Sequence, residues 1–176
     1  QELITFEGSI SKKEIEVEVE LPEQALIVTA DPGGIRQLMT NLLDNAVKFT
    51  PKGGRMGLRL VPEGRMCRVE VYNSGPGIPP EDLPHIFERF YKADKAHTSG
   101  AGTGLGLAIV QKILEQHGQK IRVDEAGGFT TFSFRLVLAE DKEKRGNGHE
   151  KMVDLGSAAG DADRRSARRS GAASRL

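Results

Sequence analysis

The stretch from Asp31 to Pro51 constrains this chain most, because both ends of one element and its buried side can be read from it. Asp31-Pro32 is a helix start, with aspartate as N-cap and proline at the first helical position, where a missing N–H costs nothing. Ile35, Leu38, Met39, Leu42, Leu43, Ala46 and Val47 follow at helical spacing and form an apolar stripe wide enough to lie on a core. Pro51, Gly53 and Gly54 end the helix near Phe49-Thr50. The same helix carries Asn41, Asn45 and Lys48 on one edge. Asparagine is a mediocre helix former, because its side chain competes for backbone hydrogen bonds, and residues four apart face the same way. Such an edge is either a solvated face or a site. Amide oxygens suit Mg²⁺, and a lysine suits phosphate as a point charge.

The remaining pattern mixes periods. Glu14 to Leu21 alternates glutamate with Ile15, Val17, Val19 and Leu21, the period of a half-buried strand, and Leu26 to Ala30 is a second short strand. Met56–Val61 and Met66–Tyr72 predict a hairpin around Pro62-Glu63-Gly64. Glu81 to Lys92 has a short helical pattern with Leu83, Ile86, Phe87 and Phe90, and Ala93 to Thr103 is a small, polar, glycine-rich loop. Leu105 to His117 predicts an amphipathic helix with Gly118 at the C′ position, followed by a strand pair, Lys120–Asp124 and Phe129–Leu138, around Gly127-Gly128. This order predicts an α+β sandwich, one mixed sheet with helices on one face.

Residues 1–139 form one domain in this reading. Residues 140–176 have few large apolar residues and no sustained period, so they read as a disordered polar tail. Arg164-Arg165 and Arg168-Arg169 fit a solvated tail better than a polyanion site. The 25 acidic and 25 basic residues cancel, so no overall field points to nucleic acid. Cys67 stands alone, which excludes an intramolecular disulfide. No apolar run reaches the roughly 18 residues of a membrane-spanning helix. No signal peptide is visible, and a chain that starts at Gln1 reads as a piece of something longer.

Two glycine loops carry further chemistry. Asn73 to Pro79, NSGPGIP, follows an apolar strand, and its glycines let a flat ligand approach the backbone. Ser99 to Val110, SGAGTGLGLAIV, alternates glycines and then opens a helix, whose N-terminal amides can hold an anion. No Gly-Lys-Ser/Thr follows and no register satisfies G-x-G-x-x-G, so this is neither a Walker loop nor a dinucleotide fingerprint.

Taken together, "NLLDNAVKFTP", "IFERFYKAD" and "GTGLGLAIV" resemble the ATP-binding catalytic domain of sensor histidine kinases over about residues 14–138. The matching elements are an N box (Asn41 to Thr50), a first glycine box (Asn73 to Ile78), an F box (Phe87 to Phe90) and a second glycine box (Gly102 to Leu107). The resemblance implies the Bergerat fold, a two-layer α/β sandwich shared with gyrase, mismatch-repair and chaperone ATPases, with an ATP lid over Pro79 to Ala101. It implies Mg-ATP as ligand and transfer of the γ-phosphoryl group to a histidine.

Residue by residue, Asn45 matches the Mg²⁺ ligand, Asn41 an amide near the triphosphate, Lys48 a phosphate contact, and Phe49 the ring beside the adenine. Asn73 stands where most members have aspartate. Its carboxamide oxygen can accept the same bond from the adenine amine, only more weakly, and a flipped amide would relax selectivity towards guanine. Gly75, Gly77 and Ile78 line the first loop, and Phe87, Phe90 and Tyr91 belong to the F box. Lys92 replaces an arginine reaching the γ-phosphate, and Thr130 or Thr131 matches a threonine beside the adenine. Gly102, Thr103, Gly104, Leu105, Gly106 and Leu107 present backbone amides to phosphate, while Asn41, Lys48 and Lys92 carry the catalytic charge and polarity. Phe129 occupies a place where glycine is more usual.

His85, His97, His117 and His149 lack the H-E-x-x-S/T-P setting of a phosphoacceptor. The acceptor is therefore expected on a dimerisation domain of the same protein outside this chain, with a response regulator downstream. The isolated domain is expected to be a cytoplasmic monomer, whose parent is membrane-anchored in many relatives. Three alternatives stay open: an ATP hydrolase of the same superfamily, an anti-sigma serine kinase, and a non-catalytic docking module. The first lacks its general base, because Asn41 stands where those enzymes have glutamate. The F box weighs against the second.

Overall fold

The computed structural model describes residues 2–92, 103–139 and 152–154. Its elements are α1 (Glu2–Lys13), β1 (Glu16–Glu20), β2 (Ile27–Thr29), α2 (Pro32–Phe49), β3 (Arg55–Glu63), β4 (Met66–Ser74), α3 (Gly106–Gln116), β5 (Arg122–Ala126), β6 (Phe129–Val137) and β7 (Met152–Asp154). Five strands form one sheet in the order β1-β3-β4-β6-β5, with β1 parallel to β3 and the other pairs antiparallel. Tight turns make the hairpins. Gly127 and Gly128 both have positive φ, 61° and 79°, as a two-residue turn matched to strand twist requires. The parallel β1–β3 pair needs a crossover, and α2 lies in it.

Alternation along the strands sorts two faces. Leu60, Val69, Val71, Phe132, Phe134 and Leu136 are buried with Ile35, Leu38, Leu42, Ala46 and Val47 of α2 and Val110, Ile113 and Leu114 of α3 in one core. The opposite face is charged. Arg59 bridges Glu20 (2.7 Å) and Glu70 (3.2 Å), Arg68 bridges Glu70 and Glu63, and Arg135 reaches Glu63 (2.8 Å). That ladder joins β1, β3, β4 and β6 across the sheet, so cross-strand pairs reinforce the register on the polar side as well.

Helix α2 is fixed at both ends. The Asp31 carboxylate accepts from Gly34 N–H (2.7 Å), as an N-cap should. Asp31 N–H donates to His117 Nε2 (3.0 Å), whose Nδ1 lies 2.7 Å from Ile113 O, so one imidazole ties the end of α3 to the start of α2. Gly118, at φ 65°, closes α3 with N–H bonds from Gly118 to Glu115 O and from Gln119 to Leu114 O, a Schellman pattern. At the other end of α2 the Lys13 ammonium donates to Val47 O (2.8 Å), Lys48 O (2.8 Å) and Thr50 O (3.0 Å). These are terminal carbonyls with no partner inside the helix, where a cation also meets the negative end of the dipole. Lys13→Met is expected to lower stability by about 1–3 kcal/mol, because charge-assisted bonds are lost and buried acceptors stranded. Exposed Lys12→Met should stay within about 0.5 kcal/mol. Denaturant titration of both variants decides this, and equal midpoints would contradict the cap.

The structure departs from the sequence reading in three places. Helix α1 precedes the strand from Glu14, the first element the sequence predicts; its Phe6 and Ile10 pack against the core. Glu81 to Lys92 forms successive turns instead of a helix, with N–H bonds from His85 to Asp82 O and from Glu88 to His85 O. Pro84 explains this, because it supplies no N–H and disfavours helical backbone before it. Within the stretch expected to be a disordered tail, Met152–Asp154 pairs antiparallel with β2. The other residues after Ala139 lie outside the described residues, as do most of the glycine-rich loop, His97 and His149. Among the described residues no helix is long and apolar enough to cross a membrane.

Candidate functional site

Asn41 projects from α2 towards the start of α3. A Cβ on Gly106 would lie 3.8 Å from Asn41 Oδ1, so the glycine lets the amide and the helix N-terminus meet. Asn41 Nδ2 is buried and has no hydrogen-bond partner. Leaving such a donor unsatisfied costs about 1–3 kcal/mol. It lies beside a helix N-terminus that has no side-chain cap and no acidic residue in its first turn. A buried amide donor beside the N-terminus of a helix is an arrangement that can hold an anion.

Asn45, one turn along the same edge, is half-buried. Burial pushes the Lys48 ammonium below its ordinary pKa; Asp44 works against that, and the charge of Lys92 adds to the depression. Two lysines distant in sequence therefore converge on this side of the domain. Lys48 Nζ also lies 4.9 Å from the centroid of Phe49, a ring that is 47 % exposed. Among the described residues no group of three or more His, Cys, Asp or Glu could hold a metal. A cation here would have to use amide oxygen together with oxygens brought by a ligand, and Asn45 fits that requirement.

The first glycine loop leaves the end of β4. Met56, Asn73, Thr130 and Glu125 form one row across β3, β4, β6 and β5, on the core face. Asn73 and Thr130 are buried, and Asn73 Nδ2 donates to Ser74 O (3.2 Å). Glu125 Oε1 accepts from the Thr130 hydroxyl (2.8 Å) and from Ile78 N–H (3.0 Å). Gly77 has φ 78°, and a Cβ there would sit 2.9 Å from Glu125 Oε2. Gly75 N–H donates to Gly128 O, and a Cβ on Gly75 would be 3.0 Å from Phe49 O, so the loop lies against the end of α2.

Other expected residues fall in different places. Thr131 pairs with Tyr72 on the charged face, away from Asn73, so of the two threonines only Thr130 joins this row. Phe87 packs edge-on against Phe132 with centroids 6.4 Å apart, whereas Phe90 is 71 % exposed and has φ 63°. Phe90 N–H donates to Gly104 O (2.9 Å). The Tyr91 hydroxyl donates to Asp82, which, with burial, pushes its pKa up to about 12 and spends it inside its own segment. Ile78 and Leu107 pack against the core, Leu105 is half-buried, Thr103 and Lys92 are exposed, and Gly102 lies outside the described residues. Sequence reasoning missed Glu125. Its signal was the Gly127-Gly128 turn, which places Glu125 opposite Thr130 once the hairpin register is drawn.

Residues 30–140, more than half of the chain, match the model of the histidine kinase-, DNA gyrase B-, and HSP90-like ATPase family, and the chain belongs to that family. Within it, the chain stands with the catalytic domains of sensor histidine kinases. It is 34% identical to the catalytic domain of histidine kinase ThkA, with a TM-score of 0.67, covering 77% of this chain and 87% of that one. It is 48% identical over 99 residues to the histidine-protein kinase/phosphatase MprB of Mycolicibacterium smegmatis, covering 56% of this chain and 20% of that protein. It also matches ThkA solved with the response regulator TrrA, at 32% identity and TM-score 0.65, covering 82% of this chain and 40% of that one. The chain thus spans about a fifth of the length of the curated relatives it matches first. The expected α+β Bergerat sandwich is the fold observed.

Proposed function

We propose that this domain binds Mg-ATP and presents the γ-phosphoryl group to a histidine on a dimerisation and phosphoacceptor domain of the same protein, outside this chain, which then serves a response regulator. One observation carries the reading: the buried, unpartnered Asn41 amide facing the uncapped start of α3. A triphosphate supplies the acceptors that both lack. Lys48 and Lys92 bring charge to the same side, and their mutual repulsion is relieved when anionic oxygens lie between them. Asn45 holds Mg²⁺ through its amide oxygen together with phosphate oxygens, and the ion neutralises phosphate charge. Asn73 and Thr130 meet the base, with Phe49 beside it. Gly104, Leu105, Gly106 and Leu107 bring backbone amides to the phosphates.

This site positions and neutralises, which is most of what phosphoryl transfer asks of a protein. Asn41 is a donor here and cannot take a proton from water, which argues against hydrolysis as the main reaction. The complex of ThkA with its response regulator supports the downstream partner. The domain alone is read as a monomer working on the cytoplasmic side.

Titration with ATP, with and without Mg²⁺, tests the reading. Asn45→Ala is expected to weaken Mg-ATP binding at least about tenfold and to abolish most of the Mg²⁺ dependence, with an unchanged melting temperature. No binding to the unaltered protein at millimolar ATP, or equal binding by the variant, would overturn it. Transfer is then measured to a histidine-bearing domain supplied in trans.

A further inference from the structure

Two side chains at the proposed base end, Asn73 and Thr130, are each oriented by a hydrogen bond they donate, and one residue outside the family motifs sets the second. A threonine hydroxyl has one proton and two lone pairs. Thr130 gives its proton to Glu125 Oε1 at 2.8 Å, and a carboxylate has no proton to give back. What Thr130 can still offer to a ligand is a lone pair. Asn73 is oriented by a like bond: one of its two Nδ2 protons goes to Ser74 O, a carbonyl that can only accept, which turns the amide so that Oδ1 is left to accept from a ligand. Asn73 and Thr130 are register partners on neighbouring strands and both are buried, so the two acceptors stand side by side. The same Glu125 oxygen also holds Ile78 N–H at 3.0 Å, which fixes the loop beside them.

We propose that Glu125 is a specificity-determining positioning residue, which takes the Thr130 proton, leaves that hydroxyl an acceptor beside Asn73 Oδ1, and thereby favours a 6-amino purine over a 6-oxo purine. This rests on the nucleotide reading above. An exocyclic amine donates to such a pocket. A 6-oxo group would face acceptors with an acceptor, leaving buried polar atoms unpaired, and a site built around hydrogen bonds discriminates most strongly that way. The orientation of Asn73 also removes the flip that would have relaxed selectivity. The neutral amide and the threonine together do the reading, and Glu125 sets the polarity of the second.

The test is the ratio of ATP to GTP affinity by calorimetric titration of Glu125→Ala and Glu125→Gln. Each variant frees the Thr130 proton or lets a turned amide donate to it, so the ratio is expected to fall about tenfold in Ala and by less in Gln. In a Thr130→Val background the Glu125→Ala change is expected to move the ratio by less than about twofold, since the proton it controls is gone. A residue that only anchored the loop would weaken both nucleotides alike and would show no dependence on Thr130; that outcome overturns the inference. An unaltered protein that binds ATP and GTP equally overturns it as well. One that binds neither overturns the nucleotide reading and this inference with it. The isosteric Gln variant keeps the test open should Ala at this edge strand disturb folding.

Discussion

Gly57→Ala is expected to lower the stability of the domain by about 3 kcal/mol, a drop of roughly 6–12 °C in melting temperature. Gly57 lies in β3 between Glu18 of β1 and Tyr72 of β4. A Cβ there would be 2.3 Å from Tyr72 Cζ, 2.4 Å from its Oη and 2.8 Å from the backbone oxygen of Glu18. The phenol cannot easily swing away. Its hydroxyl donates to Glu18 Oε2 at 2.9 Å, its ring packs edge-on to Phe129 at 5.9 Å, and the Arg59 guanidinium sits 5.5 Å from its centroid. Burial, with the Glu18 bond, pushes the Tyr72 pKa up to about 12, so the hydroxyl remains a donor at neutral pH. The backbone contact to Glu18 lies in the parallel β1–β3 ladder and cannot yield without loosening it. Denaturant unfolding measures the cost. In a Tyr72→Ala background Gly57→Ala should cost clearly less, because the chief clash is gone and only the backbone contact to Glu18 remains. Equal costs in the two backgrounds would mean that the ring is not the obstacle.

Gly104→Ala is expected to weaken the proposed Mg-ATP binding by at least about tenfold, more than its effect on folding would suggest. At φ 70° an alanine costs about 1–2 kcal/mol on its own. Its Cβ would also stand 2.8 Å from Phe90 C, 2.9 Å from Phe90 Cα and 3.0 Å from Tyr91 O, all backbone atoms with no rotamer to retreat into. Phe90 is itself at φ 63°, an unfavourable conformation for an aromatic residue, and its N–H bond to Gly104 O helps to hold it there. Gly106, two residues further on, adjoins Asn41, and Lys92 lies two residues beyond Phe90. Prising Gly104 from Phe90 displaces the proposed phosphate donors from Asn41 and Lys92. Gly53→Ala is the control. It carries φ 69° with nothing within 4 Å of its Cβ, so it should cost about 1–2 kcal/mol and leave affinity intact. Unchanged affinity in Gly104→Ala would remove this loop from the site.

Much of this molecule is legible locally. Asp31, Pro32, Thr50 and Gly118 do their capping through neighbours in the chain, so α2 and α3 could be bounded within a residue or two. The edge of Asn41, Asn45 and Lys48 is a matter of helical period. The Gly127-Gly128 turn follows from its two glycines. Glu81 to Lys92 has helical apolar spacing, but Pro84 supplies no N–H and disfavours helical backbone before it, so the stretch forms turns. Helix α1, ELITFEGSISKK, has Gly8 in its middle and a weak pattern, so its helicity depends on Phe6 and Ile10 meeting the core and Lys13 meeting α2.

The amino-acid order by itself determined α2, α3 and the strands of the main sheet, where the glycine loops fall and which family they mark, because those signals act over a few residues. Only the tertiary structure decided that Asn41 Nδ2 is left without a partner, that Lys13 caps a helix it does not belong to, that Thr130 and not Thr131 shares a row with Asn73, and that Glu125 takes its proton. Each of these joins residues far apart in the chain through strand register or helix packing, and a hydrogen bond forms, or is left unmade, only once burial has fixed which groups meet.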